Sequence, residues 1–375
     1  VSATYLRGDV ALLNRRLLLV GGVRWEQTNV SAQGPLTDLT LNVQRDAQGR
    51  ALRNAAGAVI PITTDALATS KLTYLERAAH VEKEYLRWFP SLNATYHVTE
   101  NFILRAAVST SIGAPDFAQY AGGLTLPNTD SAPSSTNRIV VNNAAIKPWT
   151  ANSMMLRLEY YTQGVGQFSV KAFRRDFSNF FASVTYPAAS EEFLALYDLD
   201  PETYGEYPVA TNYNLRSRVR MEGLEFDYKQ SLGQLAPWLR GVQAFANVSA
   251  LRTTGESTAN FAGFTPRTYN WGLSYSRPKY TLRANWNYRG RQRLNAVANA
   301  GTEPGTFRYA TERLYVDVLG ELRLTRRLAL FMNLRNLRDA TEDYEVYGPN
   351  TPRYARLRNL TDFGSLWTVG IKGSF

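Results

Sequence analysis

Trp367-Thr-Val-Gly-Ile-Lys-Gly-Ser-Phe375 ends the chain, and its alternation decides the fold. Trp367, Val369, Ile371 and Phe375 share one face of an extended strand and Thr368, Lys372 and Ser374 the other, because successive strand side chains point to opposite sides. The pattern recurs about thirteen times, with no helical layer between repeats to cover the apolar faces. Those faces therefore meet lipid. The expected class is all-β, a transmembrane antiparallel β-barrel whose last strand ends on an aromatic residue. A soluble sandwich or propeller would need turn signals every ~8–12 residues, and the sequence lacks them.

Upstream stretches repeat the reading. Leu86, Trp88, Pro90, Leu92, Ala94 and Tyr96 oppose Arg87, Ser91, Asn93, Thr95 and His97. Tyr269, Trp271, Leu273 and Tyr275 oppose Thr268, Asn270, Ser274 and Ser276, and Leu282, Ala284, Trp286 and Tyr288 oppose Arg283, Asn285, Asn287 and Arg289. Apolar residues face lipid and charged ones a lumen. Aromatics near strand ends, such as Trp25, Tyr160 and Tyr228, are expected to form interfacial girdles.

Tight and long connections alternate without exception. The tight ones fall at Asn14-Arg15, Thr99-Glu100, Gly164, Leu232 to Pro237, Arg277-Pro278 and Thr325-Arg326. The long ones span roughly 31–84, 113–148, 179–215, 253–264, 292–309 and 338–362, where alternation fails. Bacterial outer-membrane barrels alternate in this way, with short periplasmic turns and long extracellular loops. An odd strand count leaves the first and last strands running the same way, which cannot close an antiparallel barrel of even number, so further strands are expected before Val1.

Composition agrees. The 375 residues are 44% hydrophobic and 12% aromatic, with a mean hydropathy of −0.30, as expected when only every second strand residue faces lipid. The longest apolar run, Leu17 to Val23, is too short for a spanning helix. There is no cysteine and only two histidines, so thiolate metal sites, cysteine nucleophiles and Ser-His pairs are not available and neither an enzyme nor a cofactor is expected. The net charge of +10 is scattered rather than packed into a basic tract, which argues against nucleic acid as a partner.

Ordered motifs run along nearly the whole chain: Arg16-Leu-Leu-Leu-Val-Gly-Gly-Val-Arg-Trp-Glu-Gln-Thr28, Phe89-Pro-Ser-Leu-Asn93, Leu104-Arg-Ala-Ala-Val-Ser-Thr-Ser111, Ile146-Lys-Pro-Trp-Thr-Ala-Asn152, Glu222-Gly-Leu-Glu-Phe226, Asn333-Leu-Arg-Asn-Leu337 and Gly370 to Phe375. Together they resemble the carboxyl-terminal half of the TonB-dependent outer-membrane receptors of Gram-negative bacteria. Where that family usually carries Arg before a Pro after Ser111, this chain has Gly113-Ala114-Pro115, so the role of that Arg is not carried over. The resemblance implies residues 1–375 of a larger plugged barrel of about 22 strands, with the plug and first strands outside this chain. It also implies active uptake of a large scarce solute, such as a ferric siderophore, cobalamin or an oligosaccharide. Implied partners are outer-membrane lipid, the TonB-ExbB-ExbD complex acting through the absent segment, and the barrel-assembly machinery. A passive porin or an adhesion scaffold is the alternative.

Three residue sets are candidates. Phe117, Tyr120, Tyr204, Tyr207, Phe264, Tyr344 and Tyr347 lie in the long loops as possible solute contacts. Arg157, Lys229, Arg283, Arg289, Arg323 and Arg335 fall on lumen-facing positions. Trp367, Val369, Ile371 and Phe375 form the expected barrel-assembly signal. In the loop Ser190 to Glu202, Ser190 and Asp200 read as helix N-caps. Asp198, Asp200 and Glu202 have a calcium-like spacing, but the Gly falls two places late for a calcium loop.

Overall fold

A computed structural model describes residues 1–134, 136–162, 164, 166–256, 263–297, 302–303 and 305–373. Ser374 and Phe375, the end of the closing motif, lie outside them. The main sheet has 17 strands, of which four belong to the loops and thirteen form a wall. The wall strands are β1 Ser2–Leu12, β2 Leu17–Asp38, β3 Tyr74–His97, β4 Phe102–Gly113, β5 Trp149–Thr162, β6 Gly166–Ser178 and β7 Val219–Ser231. They continue as β8 Val242–Thr254, β9 Arg267–Ser276, β10 Tyr280–Arg289, β11 Arg313–Arg323, β12 Leu328–Arg335 and β13 Leu366–Gly373. Each pairs antiparallel with the next, as in a simple meander. Among the described residues β1 pairs only with β2 and β13 only with β12, so this part of the barrel wall is open.

The register carries the alternation across the wall, since directly opposed residues point to the same side. Leu158, Val170, Phe226, Val248, Tyr269, Tyr288 and Leu314 face one another in turn across β5 to β11. This is the face that the sequence assigns to lipid. Its aromatics pair: Tyr269 stacks on Tyr288 at 5.2 Å and Trp271 on Trp286 at 6.2 Å, while Phe168 meets Phe226 edge-on at 5.2 Å. On β13 Trp367, Val369 and Ile371 stand on it too, with Val369 72% exposed. Toward the long loops the same face turns charged, where Asp176 takes Arg174 and Arg220, each at 2.8 Å. Strand ends that exchange apolar for paired charge mark the edge of the lipid band.

Two expectations need correction. The long segment set at 31–84 is narrower, because β2 and β3 run on as paired strands of 22 and 24 residues. A span needs only about 9–11 tilted residues, so this hairpin rises well beyond the bilayer. Four of the other long segments, those at 113–148, 179–215, 292–309 and 338–362, contain short strands. Leu36–Asp38 at the end of β2 continues through Leu124–Leu126, Ile139–Val141, Val209–Asn214 and Phe181–Tyr186 as a small shelf. A separate four-stranded sheet joins Gln292–Ala296, Phe307–Ala310, Glu342–Tyr347 and Leu357–Thr361. Both failures have one cause: the partners are remote in sequence, and short mixed segments show no clean period of two.

Candidate functional site: charged inner wall and outer loop cluster

The inner face opposes the lipid face at every second residue, and its charges form a connected network. The Glu159 side chain is only 4% exposed, accepts from Arg105 Nε at 3.2 Å and lies in an ion pair 3.1 Å from Arg157 Nε; the Tyr161 hydroxyl donates to it at 3.1 Å. Arg157 Nη2 donates to Ser169 Oγ, Ser169 Oγ to Asp227 Oδ2, and Asn247 Nδ2 to Asp227 Oδ1. Lys171 and Glu225 pair at 2.6 Å. One linked chain of polar contacts therefore crosses β4 to β8, and it pairs most of the charged groups that would otherwise be costly to desolvate.

A cavity of about 500 Å³ opens on this network, lined by Arg157, Asp227, Lys229, Asn247, Ser274 and Arg283 among others. A second, of about 410 Å³, is lined by Arg283, Glu321, Arg323 and Lys372, where Glu321 pairs with Lys372 at 2.6 Å. The structure thus brings Arg157, Lys229 and Arg283 together and sets Arg323 beside the second cavity. Arg289 and Arg335 share the same face by register but stand at the outer strand ends, where Arg289 Nη2 donates to Gln292 Oε1 at 2.5 Å. The face is not wholly polar: Phe245 and Phe331 also stand on it.

The loops above β2 to β7 share an apolar core of Leu124, Leu126, Ile139, Val141, Tyr207 and Val209, with Phe193, Tyr197 and Tyr204 against it. Tyr207 is 5% exposed and its hydroxyl donates to Ser131 O at 2.8 Å. Tyr120 is 3% exposed, with its hydroxyl 3.3 Å from that of Tyr85. Burial pushes the Tyr120, Tyr204 and Tyr207 phenols upward. Tyr120 and Tyr207 are therefore buried where the loops pack together and do not stand as open loop tips. Tyr204 packs near Tyr207 at 6.4 Å between ring centres. Phe264 is half-buried, whereas Phe117 is fully presented to solvent.

Tyr344 and Tyr347 lie in the separate loop sheet, among arginines that sequence reasoning did not single out. Arg308 stands over the Tyr344 ring at 4.3 Å and Arg356 over Tyr347 at 4.4 Å. Tyr309 stacks on Tyr347 at 4.1 Å, and Arg291 Nη1 donates to the Tyr347 hydroxyl at 3.1 Å while Arg291 Nη2 pairs with Glu345 at 2.8 Å. The signal was present as arginines interleaved with aromatics over 291–309, but the pairing with 342–347 is not local. Stacked guanidinium and phenol groups offer flat, cationic contacts suited to anionic or aromatic solutes.

The expected helix caps form. Ser190 Oγ accepts from Phe193 N, and Asp200 accepts from the amides of Glu202 and Thr203. The Asp200 carboxylate, whose spacing resembled a calcium ligand, is thereby used as a cap. The Thr203 hydroxyl and these amides hold it below the usual carboxylate range.

Comparison with known proteins follows the geometry. The family model described as TonB dependent receptor-like, beta-barrel matches residues 1–337. Among solved structures, the ferric citrate transporter FecA aligns over 99% of this chain and 44% of its own length, at 15% identity and a TM-score of 0.57. The ferric-catecholate import receptor Fiu of E. coli K12 aligns over 100% and 44%, at 16% identity and 0.59. The ferric enterobactin receptor PfeA of Pseudomonas aeruginosa aligns over 100% and 53%, at 16% identity and 0.54. At such identities the likeness is one of fold, and the chain spans about half the length of the structures it matches. No curated protein sequence matches it significantly. Members of the matched family are outer-membrane β-barrel transporters and not enzymes. With its antiparallel wall, lipid-facing apolar stripe and charged inner face, the chain belongs to the TonB-dependent receptor-like β-barrel family.

Proposed function

We propose that this chain is the C-terminal part of a plugged receptor barrel of about 22 strands that imports a scarce bulky solute across the outer membrane by TonB-dependent active transport. The observation that carries the reading is the open thirteen-strand wall whose inner face is a linked network of charged groups. A polar inner face of this kind suits a polypeptide plug better than lipid or a dry core. The plug lies outside this chain and is the segment that would meet TonB-ExbB-ExbD. The long loops face the exterior, and Trp367, Val369 and Ile371 with Phe375 supply the terminal signal to the barrel-assembly machinery. Among solutes, a ferric siderophore is favoured over cobalamin or an oligosaccharide, because Arg308 and Arg356 stand over the Tyr344 and Tyr347 rings as flat cationic contacts. The names of the neighbouring structures point the same way.

The test is uptake of radiolabelled iron chelates by cells carrying or lacking the whole natural gene, with and without a protonophore. The expected result is uptake that needs both the gene and the proton gradient. Gene-dependent uptake that persists without the gradient, together with steady conductance in planar bilayers, would instead establish a passive porin.

A further inference from the structure

Between the loop shelf and the short helix Glu191–Leu196 lies a cavity of about 640 Å³, within the range of small-molecule sites. Its lining includes the buried Val141 and Val209, the rings of Phe193 and Tyr197, and the well exposed Tyr186 and Leu196. No lining residue is charged. That sets it apart in a chain of net charge +10, and from the two inner-wall cavities, which are both lined by ionised side chains. A charged ligand entering here would lose water and meet no opposite charge to replace it.

The polar groups at the rim narrow the ligand further. Asn143 is spent on the fold, donating to Asn212 O at 2.9 Å and accepting from Ala145 N at 2.9 Å. Asn142 Oδ1 accepts from Gln119 Nε2, which leaves its Nδ2 hydrogens, and Ser190 Oγ accepts from Phe193 N, which leaves its O–H. Two donors therefore stand beside an aromatic wall, in which the rings of Phe193 and Tyr197 touch each other at 4.9 Å and 44°. We infer that this cavity is a binding site for an uncharged aryl group bearing a hydrogen-bond-accepting oxygen. The ring packs against the wall that Phe193 and Tyr197 form together, with Tyr186 also lining the cavity, and the oxygen takes the Asn142 amide or the Ser190 hydroxyl. An acyl tail fits less well, because flat aromatic walls favour a ring and the cavity sits among the loops and not on the lipid face. The site does not depend on import, and its test involves no transport.

The whole natural polypeptide in lipid nanodiscs is titrated with 4-fluorobenzyl methyl ether and with 4-fluorobenzoate, and fluorine line widths are followed. The ether is expected to broaden saturably, with the benzoate at least tenfold weaker. Ala188→Trp, at an exposed lining position, is expected to fill the cavity and weaken the ether at least tenfold. Ala145→Trp serves the same purpose should the first variant fail the gel-shift assay for a folded barrel. Asn142→Leu should weaken the ether several-fold and spare 4-fluorotoluene. Equal broadening in the tryptophan variants, or equal binding of the benzoate, overturns the proposal. Displacement of the ether by monomeric dihexanoylphosphatidylcholine would assign the cavity to an acyl chain and overturn it as well.

Discussion

Leu156 and Tyr160 stand on the same face of β5 and are equally exposed, at 49% and 47%, yet substitution by arginine should cost different amounts. The apolar stripe of β5 runs from Met154 to Tyr160, so Leu156 lies one residue from its centre and Tyr160 three. With a rise of about 3.4 Å per residue and a tilt of about 45°, these offsets are about 2 Å and 7 Å from the bilayer midplane. Arginine on the lipid face of a barrel costs about 2–4 kcal/mol at the midplane and about 0–1 near the interfaces. Over an apolar band about 25 Å tall, Leu156→Arg should therefore destabilise by about 2.5 kcal/mol and Tyr160→Arg by about 1.5 kcal/mol, a gap of about 1 kcal/mol or roughly fivefold in the folding equilibrium. Urea titration of the whole polypeptide in short-chain phosphatidylcholine vesicles, followed by tryptophan fluorescence, measures both. In a soluble sheet covered by a second layer, depth along the strand has no meaning and the two variants would cost alike. Equal costs would refute the assignment of this face to lipid.

Three further outcomes are expected. Burial raises the Tyr120 and Tyr207 phenols above the ordinary value of about 10, so they stabilise the loop cluster fully below that pH, and the contribution is lost as pH rises through their folded values; absorbance near 295 nm should show late-titrating phenols, and a single phase at about pH 10 would contradict it. Asp200 is shifted the opposite way, so its cap is kept above about pH 4 and lost as pH falls through its depressed value; Asp200→Ala should speed hydrogen exchange at Glu202 and Thr203 at neutral pH, and unchanged exchange would remove the capping role. At Gly34, a Cβ would meet Ala121 O and stand 2.5 Å from Gly123 N, so Gly34→Ala should push the helix Phe117–Ala121 off β2 at a cost of about 1–3 kcal/mol; an unchanged urea midpoint together with unaltered protection of residues 117–123 would speak against that contact.

Much of the candidate site was legible in the sequence, and the missing part has a definite character. The inward cations could be read from alternation alone, because register carries a residue's side across the sheet: Arg157 opposes Arg105 and Lys171 in the structure, as a period of two requires. Their partners could not. That Glu159 would hold both Arg105 and Arg157, or that Asp227 would link Ser169 with Asn247, depends on lateral offsets of an ångström or two between strands. The loop aromatics divide likewise. Residue type marks Tyr120 and Tyr207 and Phe117 equally, and only the packing of segments from three loops buries the first two and leaves the third exposed.

What the sequence by itself determined is the wall: its all-β class, its thirteen strands, the side each residue faces and the alternation of tight and long connections. These follow from the two-residue repeat, which is a local property of extended backbone. Tertiary structure alone decided the long β2–β3 hairpin, the shelf of short strands, the arginine and tyrosine sheet and the uncharged cavity beside Glu191–Leu196. Each of these is made by segments tens of residues apart, whose pairing is chosen by mutual burial and not by any repeat within either one.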